Sequence, residues 1–494
     1  MKTWFLRTLV FLGILTSAFL LSCHKKLPEN VVAQEQINSS KGGIIKTTDG
    51  RLTLEIPPNA LSGNTTVTIS IVDNPPAYPN FDFVRPNGRC YKIDIGNVSI
   101  IDSVNLTVVY EDSGYPDENN FLLAYYDTTY VSWIFIGGII DLVKNQISIK
   151  TTHLSFWWLF YFLPPTITNK KLDVPYYQQW PTEWCLPTSM ALEMKYFGYD
   201  YEFYEVAAAC GLPPDSGLTG IKADTIYYNL IGRRPYWFGF RGKQASSTIK
   251  NVLGNLIQIS IPSVLLSTKI QHAIEITGWS RDSVYFNDPM GEIKKEMSWS
   301  NFSDTFIGTD TSYIFVHAFN LTPISEDKRK GSIQLLLFSF NRQNDALDLK
   351  FDGRYPCGYY YYAVSGEFPS DPNLDGYNLQ KMPRISDSLK LWCYIANITS
   401  TQQTYQVLVK IYNRRTNSLI STIKDTLFNV RYYSFMPVVV ADGNSMYPLA
   451  NLTPDKYSLR VYLLNSNVVQ DSFIVHFNLA PALNNPPNTP SIPS

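Results

Sequence analysis

Few of the cysteines and histidines in this 494-residue chain sit where they could act together. One set does. Cys185 is followed by Pro187, Thr188 and Ser189, then by an apolar-periodic stretch carrying Ala191, Leu192, Met194 and Phe197. The pattern predicts a helix over Thr188–Phe197 with Cys185 at or just before its N-terminus. The positive end of a helix dipole favours a thiolate, the nucleophilic form of the side chain. His272 opens a strand-like run, HAIEITGW, and a second run ends at Asn287, Asp288 and Pro289. A turn near Ser280–Asp282 folds the two into a hairpin; centred on Arg281 or one residue earlier it leaves two registers open, and in the earlier one His272 faces Asp288. Opposed residues lie ~4.5–5.5 Å apart at Cα, close enough for a carboxylate to reach an imidazole. Gln179 stands six positions before Cys185.

These residue types imply acyl-transfer chemistry. His272 takes the Cys185 proton and returns it to a leaving amine, while Asp288 fixes the imidazole tautomer and steadies the imidazolium. Gln179 offers its amide N–H, with the Cys185 backbone N–H, to a developing oxyanion. Gln178 takes that place if the turn differs by one residue, and Asn287 replaces Asp288 if the bulge shifts. A Cys185–Cys210 bridge would abolish nucleophilicity. Cys210, in AAACGL, reads as helix core.

The elements around these residues are a helical first half and a stranded second half. Helices are expected at Thr188–Phe197, Tyr201–Cys210 and Ala245–Gly254. Strands are expected at Ser263–Ser267, His272–Gly278, Ser283–Asn287 and Tyr313–Ala318, an α+β order. The segment resembles the papain-like cysteine peptidases, and among them the family that trims double-glycine leaders from bacteriocins. The resemblance rests on Val174-Pro175, Gln179, Cys185, Pro187-Thr188-Ser189, Tyr196-Phe197-Gly198, His272-Ala273, Gly278 and Asn287-Asp288-Pro289-Met290-Gly291. It implies a peptidase domain over residues 172–321 that hydrolyses peptide bonds through a thioester. Leu186 departs from the Gly usual after the nucleophile and would crowd the cleft. No transporter segment follows, so leader processing itself is not implied. Two other readings share these residues: an inactive binding or adhesion protein that keeps the fold, and amide transfer on the same thioester.

The rest of the chain reads as β structure. Aromatics are abundant (33 Tyr, 27 Phe, 10 Trp) and charged residues are 17%, against ~25% in an average domain, which excludes a disordered or coiled-coil protein. Leu52, Leu54 and Ile56 alternate with Thr53 and Glu55, a period-2 signal, and further strand-like runs continue to Phe156–Leu163. A β-sandwich is expected over residues 41–163. Gly42-Gly43, Asp49-Gly50-Arg51, Ile56-Pro57-Pro58 and Ala60-Leu61 resemble the ZU-type sandwich of ankyrins and netrin receptors. Some relatives cut themselves at a His-Phe-Ser tripeptide. Here the position holds His153, Leu154 and Ser155, and the two polar residues are read as strand caps. Linkers are expected at Pro164–Lys171 and Thr322–Gly331. An Ig-like sandwich is expected over 332–478, with Cys357 and Cys393 able to pair in an exported protein. A Pro- and Asn-rich flexible tail, 479–494, follows.

The N-terminus reads as an address. Lys2 and Arg7 precede the uncharged run Thr8–Phe19, then Leu20-Leu21-Ser22-Cys23. This resembles a bacterial lipobox, with a signal peptide over 1–22, lipidation of Cys23 and a polar tether over 23–40. It implies an exported protein anchored to a bacterial membrane of the cell envelope, with the outer membrane expected. Several acyl chains anchor firmly at ~0.8 kcal/mol per buried CH₂. The expected partners are that membrane and a peptide or protein substrate. With 41 basic residues against 42 acidic ones, no basic field points to nucleic acid. No HExxH, CxxC or P-loop pattern is present, so no metal or nucleotide cofactor is expected. Oligomeric state is not legible.

Overall fold

The computed structural model describes residues 29–179, 183–199, 201–210, 212, 217, 220–242, 245–308, 312–319, 321, 330–341, 388–441 and 447–478. The signal peptide, Cys23, Cys357, the strand expected at Tyr359–Val364 and the tail lie outside them. The chain is β-rich, with several sheets, and divides into two compact units.

The first unit takes the chain up to Ala77 with Pro86–Gly114 and Ile139–Leu159. Strands Gly43–Lys46, Leu52–Ile56, Val104–Val109, Gln146–Thr151 and Ile139–Asp141 form one sheet in that order. Leu52, Leu54 and Ile56 face inward, as do Leu106 and Ile147, all at most 2% exposed. The alternation arises because successive strand residues point to opposite faces. The expected tether is corrected here. Its residues Glu29–Ile37 form a strand antiparallel to Thr65–Val72, from Glu29↔Val72 to Ile37↔Thr65. Most of its side chains are exposed, so the backbone ladder, rather than an apolar face, holds it. Just after the strand Gln146–Thr151, His153 Nε2 lies 2.8 Å from Ser155 Oγ, and the His153 N–H donates to Thr151 Oγ1.

The second unit takes Tyr78–Arg85, Tyr115–Gly138 and the chain from Phe160 on. This corrects the boundary of the expected first sandwich. Strands Phe121–Asp127 and Ser132–Gly137 lie in this unit, and the latter pairs in parallel with Tyr236–Arg241 through Gly239↔Ile134 and Phe240↔Phe135. Both are buried along nearly their whole length, as central strands are, whereas sandwich strands bury every other residue.

The sheet continues through Tyr313–Ala318, Ser263–Ser267, His272–Ser280, Ser283–Asp288 and Glu292–Ser298, each antiparallel to the one before. The expected Pro164–Lys171 linker ends in a short strand, Asn169–Lys171, on the His272–Ser280 strand. Among the described residues, α1 (Cys185–Tyr196), α2 (Phe203–Ala209), α3 (Gly220–Ile231), α4 (Ser246–Gln258) and a single turn, α5 (Trp299–Phe302), accompany the sheet. The helix α3 and the strand Tyr236–Arg241 have no counterpart among the expected elements.

From Gly331 two further sheets share one core. Strands Gly331–Asn341, Ser388–Asn397 and Ser434–Ala441 form one, and Leu419–Val430, Gln403–Asn413, Lys456–Asn465 and Val468–Asn478 the other. Ile333, Leu391, Cys393 and Ile395 from the first meet Val407, Val409, Leu459 and Val461 from the second, all fully buried. Cys393 is a free thiol. Among the described residues, no helix is long and apolar enough to cross a membrane.

Candidate active site

Cys185 opens α1, three residues earlier than the periodicity suggests. The Thr188 N–H donates to the Trp184 carbonyl at 2.9 Å, the first bond of the helix. Pro187 falls in the first turn, where its missing N–H leaves nothing unpaired. The first N–H groups of a helix have no partner within it, so the chain end at Cys185 carries unspent donors and the positive pole of the dipole. From Leu186 through Tyr196 every residue of α1 is buried. Cys185, half-buried, is where the helix surfaces.

His272 begins its strand after a tight turn whose Gln271 has φ 51°. Toward His272, the strand's register with Ser283–Asp288 is that of a turn centred on Arg281, rather than the one that sets His272 directly opposite Asp288. Glu275 pairs with Asn287 and Ile276 with Phe286, with a bulge before Gly278↔Tyr285. Extended one residue, this register sets Asp288 opposite Ile274, diagonal to His272. Diagonal neighbours on one face remain within reach of long side chains, and His272 Nε2 meets Asp288 Oδ1 at 2.8 Å. Asp288 is held in turn. Its Oδ1 accepts the Met290 N–H at 2.9 Å, its carbonyl accepts the Gly291 N–H at 3.0 Å and the Tyr176 hydroxyl at 3.1 Å.

The electrostatics follow from these contacts. Burial works to lower the His272 pKa. Its hydrogen bonds to the Asp288 carboxylate and the Cys185 sulfur, and its electrostatic interaction with both, outweigh it and raise the value to about 9. Since Nε2 is committed to Asp288, Nδ1 is the nitrogen left for the Cys185 sulfur. Burial likewise works to raise the Asp288 pKa, but the His272 hydrogen bond and charge, the Met290 N–H and Lys295 hold it below the ordinary carboxylate value. The pair therefore rests as imidazolium and carboxylate at neutral pH.

Gln179 reaches the same turn from the other side. It is buried, and its N–H donates to the Pro289 carbonyl at 2.8 Å. Gln178 has its N–H and carbonyl bound to the Gln334 amide. Asn287 is committed elsewhere: its Nδ2 donates to the Pro175 carbonyl at 3.1 Å and its Oδ1 accepts the Lys294 N–H at 2.9 Å. No disulfide joins Cys185 and Cys210. Leu186, the departure from Gly, has a buried side chain, 1% exposed.

Several supporting residues were not singled out by motif or spacing. Lys195 of α1 is buried between Glu202 Oε1 and Asp471 Oδ1, each at 2.9 Å, and contacts the Tyr177 hydroxyl. Glu193, also on α1, accepts the Tyr227 hydroxyl at 2.5 Å. Burial pushes the carboxyls of Glu193 and Glu275 well above their usual range. The helix thus rests on polar groups as well as apolar ones. Charged residues inside an apolar-periodic helix were the available hint.

Residues 171–313 match the family model of the "Peptidase_C39 like family". This supports a papain-like peptidase family for that segment. Among solved structures, one described as a C39-like peptidase from Bacillus anthracis is 15% identical, over 30% of this chain and 98% of its own, at a TM-score of 0.25. A β-glucuronidase of Bacteroides uniformis is 9% identical, over 44% of this chain and 22% of its own, at 0.20. Likenesses at such scores carry no weight for fold or activity. No curated protein matches the chain significantly.

Proposed function

We propose that the chain is an exported, membrane-anchored cysteine peptidase that hydrolyses peptide bonds through Cys185, His272 and Asp288. One observation carries the reading: a single imidazole bonded to the Asp288 carboxylate at 2.8 Å and acted on by a cysteine at a helix N-terminus. The family match over 171–313 supports it. Lipidation at Cys23 rests on the lipobox-like text alone. The β structure on either side of the peptidase segment, ZU-type before it and Ig-like after it, would present the site to substrate.

The chemistry begins with Cys185 as thiolate and His272 as imidazolium. The sulfur attacks the scissile carbonyl carbon, and its oxygen gathers charge beside the Cys185 N–H and the Gln179 amide. The C–N bond breaks as His272 gives its proton to the amine, leaving a thioester. Neutral His272 then takes a proton from water, the hydroxide oxygen attacks the thioester carbon, the C–S bond breaks, and the acid product departs.

The test is turnover of a mixed peptide library followed by mass spectrometry. New termini from wild type, absent with Cys185→Ala and with His272→Ala, support the reading. No cleavage, with Cys185 alkylated no faster than a free thiol, contradicts it and favours a binding protein. Added hydroxylamine or amino-acid ester separates hydrolysis from transfer.

A further inference from the structure

Two side chains of the strand Gly331–Asn341 grip the segment that leads into the site. The Ser332 hydroxyl accepts the Tyr176 N–H at 3.1 Å and donates to the Tyr176 carbonyl at 2.6 Å. Two residues on, the Gln334 amide accepts the Gln178 N–H at 2.7 Å and donates to the Gln178 carbonyl at 2.5 Å. Both side chains are buried, at 0% and 4% exposure. Ser332 and Gln334 share one face of their strand, and the backbone groups of Tyr176 and Gln178 that they meet belong to a segment outside any strand. The side chains therefore do what a neighbouring strand's backbone would do, and they satisfy four backbone groups, buried at Tyr176 and half-buried at Gln178, that are costly to leave unpaired.

The opposite side of this segment faces the catalytic turn. The Gln179 N–H bonds the Pro289 carbonyl, and the Tyr176 hydroxyl bonds the Asp288 carbonyl. Phe435, from the same C-terminal β structure, stacks on Tyr176 with ring centroids 6.1 Å apart. A second grip reaches the nucleophile's helix. Asp471 accepts the Ile333 N–H at 2.9 Å through Oδ2 and pairs with Lys195 of α1 at 2.9 Å through Oδ1. The two ends of the constellation are thus tied to one strand.

We propose that the C-terminal β structure is part of the catalytic frame, with Ser332, Gln334 and Tyr176 as positioning residues that hold the Asp288–Pro289 turn and Gln179 in place. The inference rests on the peptidase reading for its activity readout, and on geometry alone for its titration readout. His272 is faced by Asp288 and Cys185, and Asp288 by His272, the Met290 N–H and Lys295. Loosening the turn weakens the Asp288 contact and leaves burial to act on the imidazole.

The experiment uses the chain through its C-terminal β structure, with two near-isosteric variants. Gln334→Glu removes the donor to the Gln178 carbonyl, and Tyr176→Phe removes the hydroxyl on Asp288. In each, NMR follows the His272 titration, assigned by its loss in His272→Ala, alongside kcat, KM and thermal unfolding. The expected result is a His272 pKa lower by about one unit in folded protein. With it comes a fall of about tenfold or more in kcat at little-changed KM. If both variants are folded and titrate and turn over as wild type does, the proposal is overturned. If wild type shows no turnover, the peptidase reading fails while the titration still decides the positioning claim.

Discussion

The His272 imidazole and the Asp288 carboxylate meet at 2.8 Å although their residues are not directly paired in the hairpin that carries them. The bulge between Ile276 and Gly278 alters the register, and Asp288 approaches from the diagonal. A turn of Pro289, Met290 and Gly291 then fixes the carboxylate through the Met290 N–H. The contact is over-determined by the turn, which makes it a dependable orienter for a proton-carrying imidazole.

Asp288→Asn removes the charge that offsets burial around His272. The His272 pKa should fall from about 9, and the alkaline limb of kcat/KM should move to lower pH with it. The rate at neutral pH should drop by about tenfold or more, within the range general acid–base catalysis supplies. A pH–rate profile of wild type and variant checks this.

The same pair sets a pH window for stability. His272 has a folded pKa of about 9 against an ordinary 6.5, so its contribution is full below about 6.5 and is lost as pH rises through about 9. Asp288 is shifted below its ordinary 3.8, so its contribution is present above about 3.8 and is lost as pH falls through its folded value. Subtracting the unfolding midpoints of Asp288→Asn from those of wild type should give a difference largest between about pH 4 and 6.5. A difference that is flat from pH 4 to 10 would contradict it.

Gln179→Ala should lower kcat by about 10²–10³ and leave KM nearly unchanged, the pattern of a donor that acts only on developing charge. Steady-state kinetics with a cleaved peptide reads the split. A matching rise in KM instead would assign Gln179 to ground-state binding.

Asp471→Ala should destabilise the second unit by about 3 kcal/mol or more, because it removes one of the two carboxylates that meet Lys195 in a site where the side chains are nearly fully buried. Urea unfolding followed by tryptophan fluorescence measures it. A change under about 0.5 kcal/mol would mean that solvent reaches the pair.

The helices and strands that follow hydrophobic periodicity were legible before the structure. Ser263–Ser267 and Tyr313–Ala318 are bounded as the alternation suggests, and α4 differs from its expected span mainly at its C-terminal end. Three kinds of feature were not legible. The strand Glu29–Ile37 carries polar, exposed side chains and is held by its backbone. The helix α3 and strand Tyr236–Arg241 follow a stretch in which Gly and Pro punctuation hides the periodicity. The grip of Ser332 and Gln334 on Tyr176 and Gln178 joins residues 156 positions apart, and no local pattern encodes a contact of that range. Cys185 and His272 stand out because the chain has only six cysteines and five histidines, and all three of Cys185, His272 and Asp288 fall at element ends. The bulge that sets how the last two meet has no such marker.

The central claim is that Cys185 reacts as one half of an ion pair with His272, and the rate of its alkylation by iodoacetamide against pH tests it most directly. Cys90 and Cys393 are buried, with thiols pushed up to about 12 by burial, so they should stay unlabelled in folded protein. Mass spectrometry separates Cys185 from Cys210. The expected result is fast labelling of Cys185 already at pH 6, with a further rise only as His272 loses its proton near pH 9, and collapse of the low-pH rate in His272→Ala. A wild-type profile that follows an ordinary thiol near pH 8.5, unchanged by His272→Ala, would contradict it.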